Sequence, residues 1–102
     1  MFGLSKEDLR TITAVISKQN DVEEALLFGS RAKGNFRKGS DVDIVLKGKI
    51  ITRDTILKIS SELNNETILP YHFDVLNFST IQNEELVAHI QRVGRTIYKK
   101  ST

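Results

Sequence analysis

The sequence contains no cysteine, a single proline and few aromatic residues, which make up 7% of its 102 positions. The absence of cysteine excludes disulfide bonds, thiolate metal sites and thiol nucleophiles. No apolar run approaches the length of a membrane span, and the first stretch, MFGLSKEDLR, has no apolar signal core. We therefore expect a cytoplasmic protein that has no membrane partner.

The excess of positive over negative charge is also small, because the formal net charge is only +2. That charge is too small to predict nucleic-acid binding, and the scattered aromatic residues argue against a base-stacking platform. Hydrophobic residues at 39% and charged residues at 27% are typical of a soluble globular domain. We expect one domain over residues 1–102, with a small core that leaves apolar surface for a partner subunit, in a homo-oligomer or a hetero-oligomer.

The first half of the chain alternates between helical and strand spacing. Residues 5–19 predict a helix that begins with a capping box of Ser5 and Asp8. The stretch EEALLFG predicts a strand that is apolar on both faces, as in the middle of a sheet. The stretch DVDIVLKG alternates in polarity and predicts a second strand. Its two faces are Val42, Ile44 and Leu46 on one side and Asp41, Asp43 and Val45 on the other.

The second half predicts a helix at residues 53–63, capped by Thr52, and a third strand at YHFDVLNF. Ser79 and Gln82 resemble a capping box for a last helix. The apolar stripe of that helix consists of Leu86, Ile90, Val93 and Ile97, with Gly94 near its end. The predicted fold class is α/β (α+β), a small mixed sheet of about three strands flanked by helices, in the order α-β-α(short)-β-α-β-α.

Gly29 and Ser30 end the first predicted strand, where a short helix could begin. The free N–H groups of a helix start attract phosphate, and a glycine lets the backbone approach a ligand closely. The alternative is a tight turn with a capping serine, which is the commoner role of this dipeptide taken alone.

Asp41 and Asp43 lie two residues apart on a strand, so their carboxylates project to the same face. Hard divalent cations would relieve their repulsion, and Mg²⁺ prefers a few carboxylates together with water and phosphate oxygens. The alternatives are a solvent-facing strand start or neutralisation by nearby basic side chains. Those side chains are Arg31, Lys33, Arg37 and Lys38.

Asp74 lies inside an apolar strand, between Phe73 and Val75. Burying a charge is costly unless the charge is paired or bound to a metal, so we expect a functional or ion-paired carboxylate here. Three carboxylates from two strands would suit two metal ions about 4 Å apart. The alternative is a structural ion pair with Arg92 or Arg95.

The two histidines and the serines give weaker signals. His72 precedes Asp74 by two residues and is predicted to be a partly exposed strand residue, and His89 is predicted to lie on the surface of the last helix. Neither Ser30 nor Ser40 has a nearby His–Asp relay, so the sequence gives no support to a hydrolase triad.

In combination, these motifs resemble the nucleotidyltransferase superfamily that includes polymerase β, and within it the minimal nucleotidyltransferase (MNT) domains. Gly-Ser at a strand end, ten intervening residues, Asp-x-Asp and a later aspartate occur in the family's order. FGSRAKGNFRKGSDVDI matches the first part of the pattern and FDVL the last. The similarity extends over nearly the whole chain, including EELVAHIQRVGRTIY.

The resemblance implies a role for each residue of the motif. Gly29 and Ser30 would hold the β- and γ-phosphates of a nucleoside triphosphate. Asp41 and Asp43 would bind two Mg²⁺ ions, or Mn²⁺, with Asp43 bridging both. Asp74 would complete the site of the catalytic ion and accept the proton of the attacking hydroxyl.

Arg31 and Lys33 would neutralise the leaving pyrophosphate. The implied reaction moves a nucleoside monophosphate, AMP from ATP, onto a hydroxyl. The implied partner is a small helical HEPN-type protein, with this chain as the antitoxin or catalytic component of the pair. Two alternatives are a non-catalytic nucleotide-binding module that neutralises a helical partner by contact, and a small-molecule (antibiotic) nucleotidyltransferase.

Overall fold

Residues 1–101, which the computed structural model describes, form four α-helices, a short 3₁₀ helix and four strands. In chain order these are α1 (Lys6–Ser17), β1 (Glu24–Phe28), α2 (Gly29–Lys33), β2 (Val42–Lys47), α3 (Arg53–Asn65), β3 (Phe73–Asn77), the 3₁₀ helix (Phe78–Thr80), α4 (Glu84–Val93) and β4 (Arg95–Lys99). None of the helices in this part of the chain is long and apolar enough to cross a membrane.

The strands form one mixed sheet in the order β3-β2-β1-β4. Strand β1 pairs antiparallel with both β2 and β4, whereas β2 and β3 are parallel and are joined through α3. A parallel pair needs such a crossover because a tight turn can only reverse the chain. The predicted mixed sheet flanked by helices is confirmed, as is the central position of the first strand.

Alternation along the strands builds a hydrophobic cluster on each face of the sheet. The larger cluster lies under α1 and α3 and includes Ile12, Ile16, Leu27, Ile44, Ile59, Leu63 and Phe73. The smaller cluster lies under α4 and consists of Leu26, Phe28, Val45 and Ile90. Because Asp43 alternates with Ile44, its side chain lies on the α4 face of the sheet.

Side-chain caps define where α1 and α3 begin. Ser5 accepts the N–H of Asp8, whose carboxylate in turn accepts the N–H of Ser5, and Thr52 accepts the N–H of Thr55. These caps satisfy N–H groups that have no acceptor within the helix. Both predicted helix starts are confirmed. The helices end at Ser17 and Asn65, within two residues of the predicted ends.

The C-terminal region corrects two predictions. The fourth strand, β4, occupies the stretch that was expected to continue the last helix through Ile97, because α4 ends before Gly94 and the chain pairs with the free edge of β1. The predicted capping box of Ser79 and Gln82 is wrong. Ser79 belongs to the 3₁₀ helix, and Asn83 caps α4 by accepting the N–H groups of the first turn.

Candidate active site

Three neighbouring strands bring the end of β1 beside the starts of β2 and β3. Phe28 pairs with Asp43 across the antiparallel ladder, and Asp43 pairs with Asp74 across the parallel ladder. Paired residues project to the same face of a sheet, so the carboxylates of Asp43 and Asp74 lie side by side. Asp41 immediately precedes β2 and is exposed.

Burial and like charge together perturb the Asp43 carboxyl group. Partial burial, followed by the charges of Asp74 and Asp41 and a hydrogen bond with Asp74, raises its pKa from 3.8 to about 6, and His72 opposes this rise. The contributions that raise the pKa act by disfavouring the charged form, whereas His72 favours it. At neutral pH the site therefore holds adjacent carboxylates that repel one another.

Basic side chains of residues 1–101 form no salt bridge with Asp41 or Asp43. The expected alternative of neutralisation by the loop between the strands is therefore not found within these residues. Asp74 contacts His72, with 3.2 Å between the imidazole Nε2 and the carboxylate Oδ1, rather than Arg92 or Arg95.

Asp74 is more exposed than its apolar neighbours in the sequence suggest. Its side chain is 51% exposed, and that of His72 is 62% exposed. Phe73 and Val75 point into the larger cluster, and alternation turns Asp74 to the opposite face of an edge strand. The expectation of a buried Asp74 is therefore wrong, and the predicted exposure of His72 is confirmed.

The donor set can be tested for its fit to a divalent cation. Among residues 1–101, no three His, Asp or Glu side chains converge into a cluster that could hold a metal ion by themselves. Adjacent, unneutralised carboxylates are nevertheless the hard oxygen donors that Mg²⁺ prefers, and Mg²⁺ commonly takes its remaining ligands from water and substrate phosphate. The residues fit a cation that binds together with a triphosphate.

Gly29 lies directly against the carboxylate of Asp43. It begins α2 with a φ of 76°, and a Cβ atom at this position would collide with Oδ2 of Asp43. Phe28, at the N-cap, makes no side-chain capping bond. Within residues 1–101, the N–H and the hydroxyl of the next residue, Ser30, have no hydrogen-bond partner. The turn thus presents unused donors beside the aspartates.

His89 on α4 also contacts this turn. Its Nε2 accepts the N–H of Gly29 at 3.0 Å, and its ring meets Phe28 edge-on with 6.2 Å between the centroids. The prediction of a surface histidine is wrong, because His89 is partly buried between α4 and the turn. The signal was present in the sequence: residue 89 lies three after Leu86 and four before Val93, which is same-face spacing.

Arg31 is buried away from solvent, with 2% of its surface exposed. Its guanidinium donates to the carbonyl oxygens of Ser40 and Phe2, at 2.8 and 2.9 Å, and lies against the rings of Phe36 and Tyr71. These contacts give Arg31 a structural role, and its expected contact with a leaving pyrophosphate stays a prediction. Arg31 fixes the loop that leads into the Asp-x-Asp strand.

We expect Arg31→Met to lower the free energy of unfolding by about 3 kcal/mol, because buried carbonyl groups lose a charged donor. Arg37→Met is the matched control, since Arg37 lies exposed in the same loop and should change stability by less than about 0.5 kcal/mol. Urea denaturation measures both. Equal stabilities of the two variants would contradict the structural role of Arg31.

Lys33 is exposed at the end of α2. After burial and the charge of Arg92, the charge of Lys33 also lowers the pKa of the His89 imidazole. Lys33 is the expected pyrophosphate-neutralising residue that remains free in this structure, since none of the salt bridges of residues 1–101 involves it. The site thus combines three carboxylates, of which Asp41 and Asp74 are exposed, with a lysine and a turn that has unused donors.

Known structures share this fold. A toxin–antitoxin structure with AMP-PNP aligns with a TM-score of 0.74 at 16% identity, covering 91% of this chain and 74% of the other. The toxin–antitoxin MntA-HepT aligns with a TM-score of 0.70 at 13% identity, covering 94% and 74%. A protein of Shewanella oneidensis gives a TM-score of 0.66 at 11% identity, with coverage of 94% and 74%.

Sequence comparison gives the family. A search of curated proteins finds no match. The family model described as polymerase beta, nucleotidyltransferase matches residues 10–102, which is nearly the whole chain. The resemblance inferred from the Gly-Ser and Asp-x-Asp motifs is confirmed. The chain belongs to the polymerase β nucleotidyltransferase family.

Proposed function

We propose that this protein transfers AMP from ATP to a hydroxyl group of a partner protein and releases pyrophosphate. One observation carries the proposal: the Asp43 carboxylate lies against Gly29 on one side and beside Asp74 on the other. A strand-end turn with unused donors next to paired carboxylates is suited to a triphosphate and its cations.

The chain's own residues would divide the reaction between them. The acceptor oxygen bonds to the α-phosphorus while the bond from that phosphorus to the α–β bridging oxygen breaks, and the electron pair leaves with pyrophosphate. The exposed carboxylate of Asp74 takes the hydroxyl proton. Ser30 holds phosphate oxygens through its N–H and hydroxyl, and Lys33 neutralises the leaving group.

Asp41, Asp43 and Asp74 would hold Mg²⁺, or Mn²⁺ in its place. When bound, these ions neutralise triphosphate charge and polarise the reacting oxygens. Gly29 contributes close approach rather than a donor, because its N–H is already bonded to His89. This differs from the role that the family resemblance implies for Gly29.

The acceptor we propose is a small helical HEPN-type protein, with this chain as the antitoxin of the pair. The support is that structures of similar fold are described as toxin–antitoxin complexes, one of them with AMP-PNP. The small core expected for 102 residues agrees with burial of further surface in such a complex.

Label transfer tests the proposal. When this protein is incubated with its partner, Mg²⁺ and ATP labelled at the α-phosphate, the partner should become labelled. ATP labelled at the γ-phosphate should leave the partner unlabelled. Asp74→Asn should reduce the rate by at least about 1000-fold. Asp54→Asn, an exposed carboxylate on α3, is the control and should retain wild-type activity. No transfer by the wild type would contradict the proposal.

A contact-only antitoxin that binds nucleotide is the second candidate. It is favoured by the lack of three converging ligand side chains within residues 1–101. Under that hypothesis, a variant with all three aspartates changed to asparagine should still neutralise the partner as the wild type does. Under the enzymatic hypothesis, the same variant binds the partner but leaves it toxic.

A further inference from the structure

α4 contributes one polar contact to the candidate active site, through His89. The imidazole Nε2 accepts the N–H of Gly29, and Gly29 in turn lies against Asp43. We propose that His89 is a positioning residue that fixes the Gly29–Ser30 turn, so that Ser30 rather than Gly29 supplies donors to the triphosphate. The role of the turn in binding triphosphate rests on the proposed function. The hydrogen bond between His89 and Gly29 is observed in the structure.

The contact requires a neutral imidazole with its proton on Nδ1, since a protonated Nε2 cannot accept a hydrogen bond. The surroundings favour that form. Partial burial, followed by the charges of Arg92 on α4 and Lys33 on α2, lowers the pKa of His89. From β1, the apolar ring of Phe28 meets the imidazole edge-on. His89 is thus kept as an acceptor at neutral pH.

The hydrogen bond acts on the direction of the next peptide. α2 has no side-chain cap, and its first residue has a φ of 76°. Accepting the N–H of Gly29 fixes the plane of the Phe28–Gly29 peptide, and this plane sets where the N–H of Ser30 points. Without His89, the turn would keep the glycine but would lose the orientation of its free donors.

A phosphate donor that serves bound substrate and transition state alike affects affinity rather than turnover. His89→Ala should therefore raise the dissociation constant for MgATP about tenfold and leave kcat within about twofold. His89→Gln should restore affinity to within about threefold, because its Oε1 reaches the position of Nε2. Gln91→Ala, an exposed change on α4, is the control and should bind as the wild type does.

Two measurements separate this inference from the proposed function. NMR of the nucleotide-free wild type should show coupling across the hydrogen bond between the Gly29 amide nitrogen and Nε2 of His89. Calorimetry gives the affinity for MgATP and a transfer assay gives kcat. If His89→Ala does not fold, His89→Met, which has similar volume and a weak acceptor, takes its place in the comparison with His89→Gln.

Absence of the NMR coupling would overturn the positioning role whatever the activity. So would an Ala or Met variant that binds MgATP as tightly as the wild type, or a Gln variant no better than Ala. A wild type that binds MgATP but transfers no AMP would overturn the proposed function and leave the positioning of the turn intact. A wild type that binds no MgATP would overturn both.

Discussion

Asp43→Asn should abolish AMP transfer and at the same time make the nucleotide-free protein more stable. The pKa of the Asp43 carboxyl is raised to about 6, so the native state favours the protonated form. The native chain therefore binds more protons than the unfolded chain between pH 3.8 and about 6. Stability from this group is present below pH 3.8 and is lost as the pH rises to about 6.

The expected gain at pH 8 is about 1–2 kcal/mol, which is less than the full pKa shift would give because Asp43 is only partly buried. The neutral amide that replaces the carboxylate avoids the cost of partly burying a charge and, after that, the repulsion by Asp74 and Asp41. Urea denaturation of wild type and variant at pH 8 and pH 4 measures the effect. The difference in free energy of unfolding should be clear at pH 8 and vanish at pH 4.

Under the proposed function, the loss of AMP transfer should be at least about 1000-fold, because the variant removes a charge that would face the triphosphate and its cations. MgATP should raise the stability of the wild type and have little effect on the variant. Asp54→Asn should leave activity unchanged and should alter stability by less than about 0.5 kcal/mol, because its only ion pair, with Lys58, lies on the surface. A stability difference between wild type and Asp43→Asn that is constant from pH 4 to pH 8 would contradict ionisation of Asp43 as its cause.

Gly29→Ala should destabilise the protein by about 3–4 kcal/mol and eliminate MgATP binding. Part of the cost comes from the φ of 76°, because this conformation costs a residue with a side chain about 1–2 kcal/mol. The rest comes from the collision of the new Cβ with Oδ2 of Asp43. The carboxylate cannot move without leaving the position in which it faces the turn.

Gly34→Ala provides a matched control for the backbone cost. Gly34 has a φ of 89°, but no atom lies within 4 Å of the Cβ that alanine would add. Its substitution should cost only about 1–2 kcal/mol. Shortening Asp43 in the double variant Gly29→Ala/Asp43→Ala should remove the collision. The double variant should therefore recover the stability that Gly29→Ala loses beyond the loss caused by Gly34→Ala. Equal destabilisation by Gly29→Ala and Gly34→Ala would show that the close approach to Asp43 does not contribute to the loss of stability.

Local patterns were sufficient to place Gly29 at the end of one strand and the Asp-x-Asp motif at the start of the next, because these positions follow from strand ends and alternation. They were not sufficient to give the surroundings of these residues. The pairing of Asp43 with Asp74 depends on the register between two strands separated by α3. The Arg31 contacts depend on Phe2 and Tyr71, which lie far from it in the sequence. No local spacing contains that information.

The missed fourth strand has a similar cause. Ile97 continues the helical spacing of Leu86, Ile90 and Val93, so periodicity alone favours a longer helix. Gly94 and the following Thr-Ile-Tyr weaken that helix, but the deciding factor is the unpaired edge of β1. A free strand edge is a property of the assembled sheet. It therefore could not be inferred from the segment that eventually covers it.

The parallel pairing of β2 with β3 has a consequence for the order of assembly. Strands β1 and β2 can form a hairpin as soon as both are available, whereas β3 can join only after α3 has crossed over the sheet. Such non-local pairing closes slowly because loop entropy must be lost first. Asp43 and Asp74 therefore become neighbours only at that late step. A partly folded chain in which β3 has not yet joined β2 lacks the repulsion between Asp43 and Asp74.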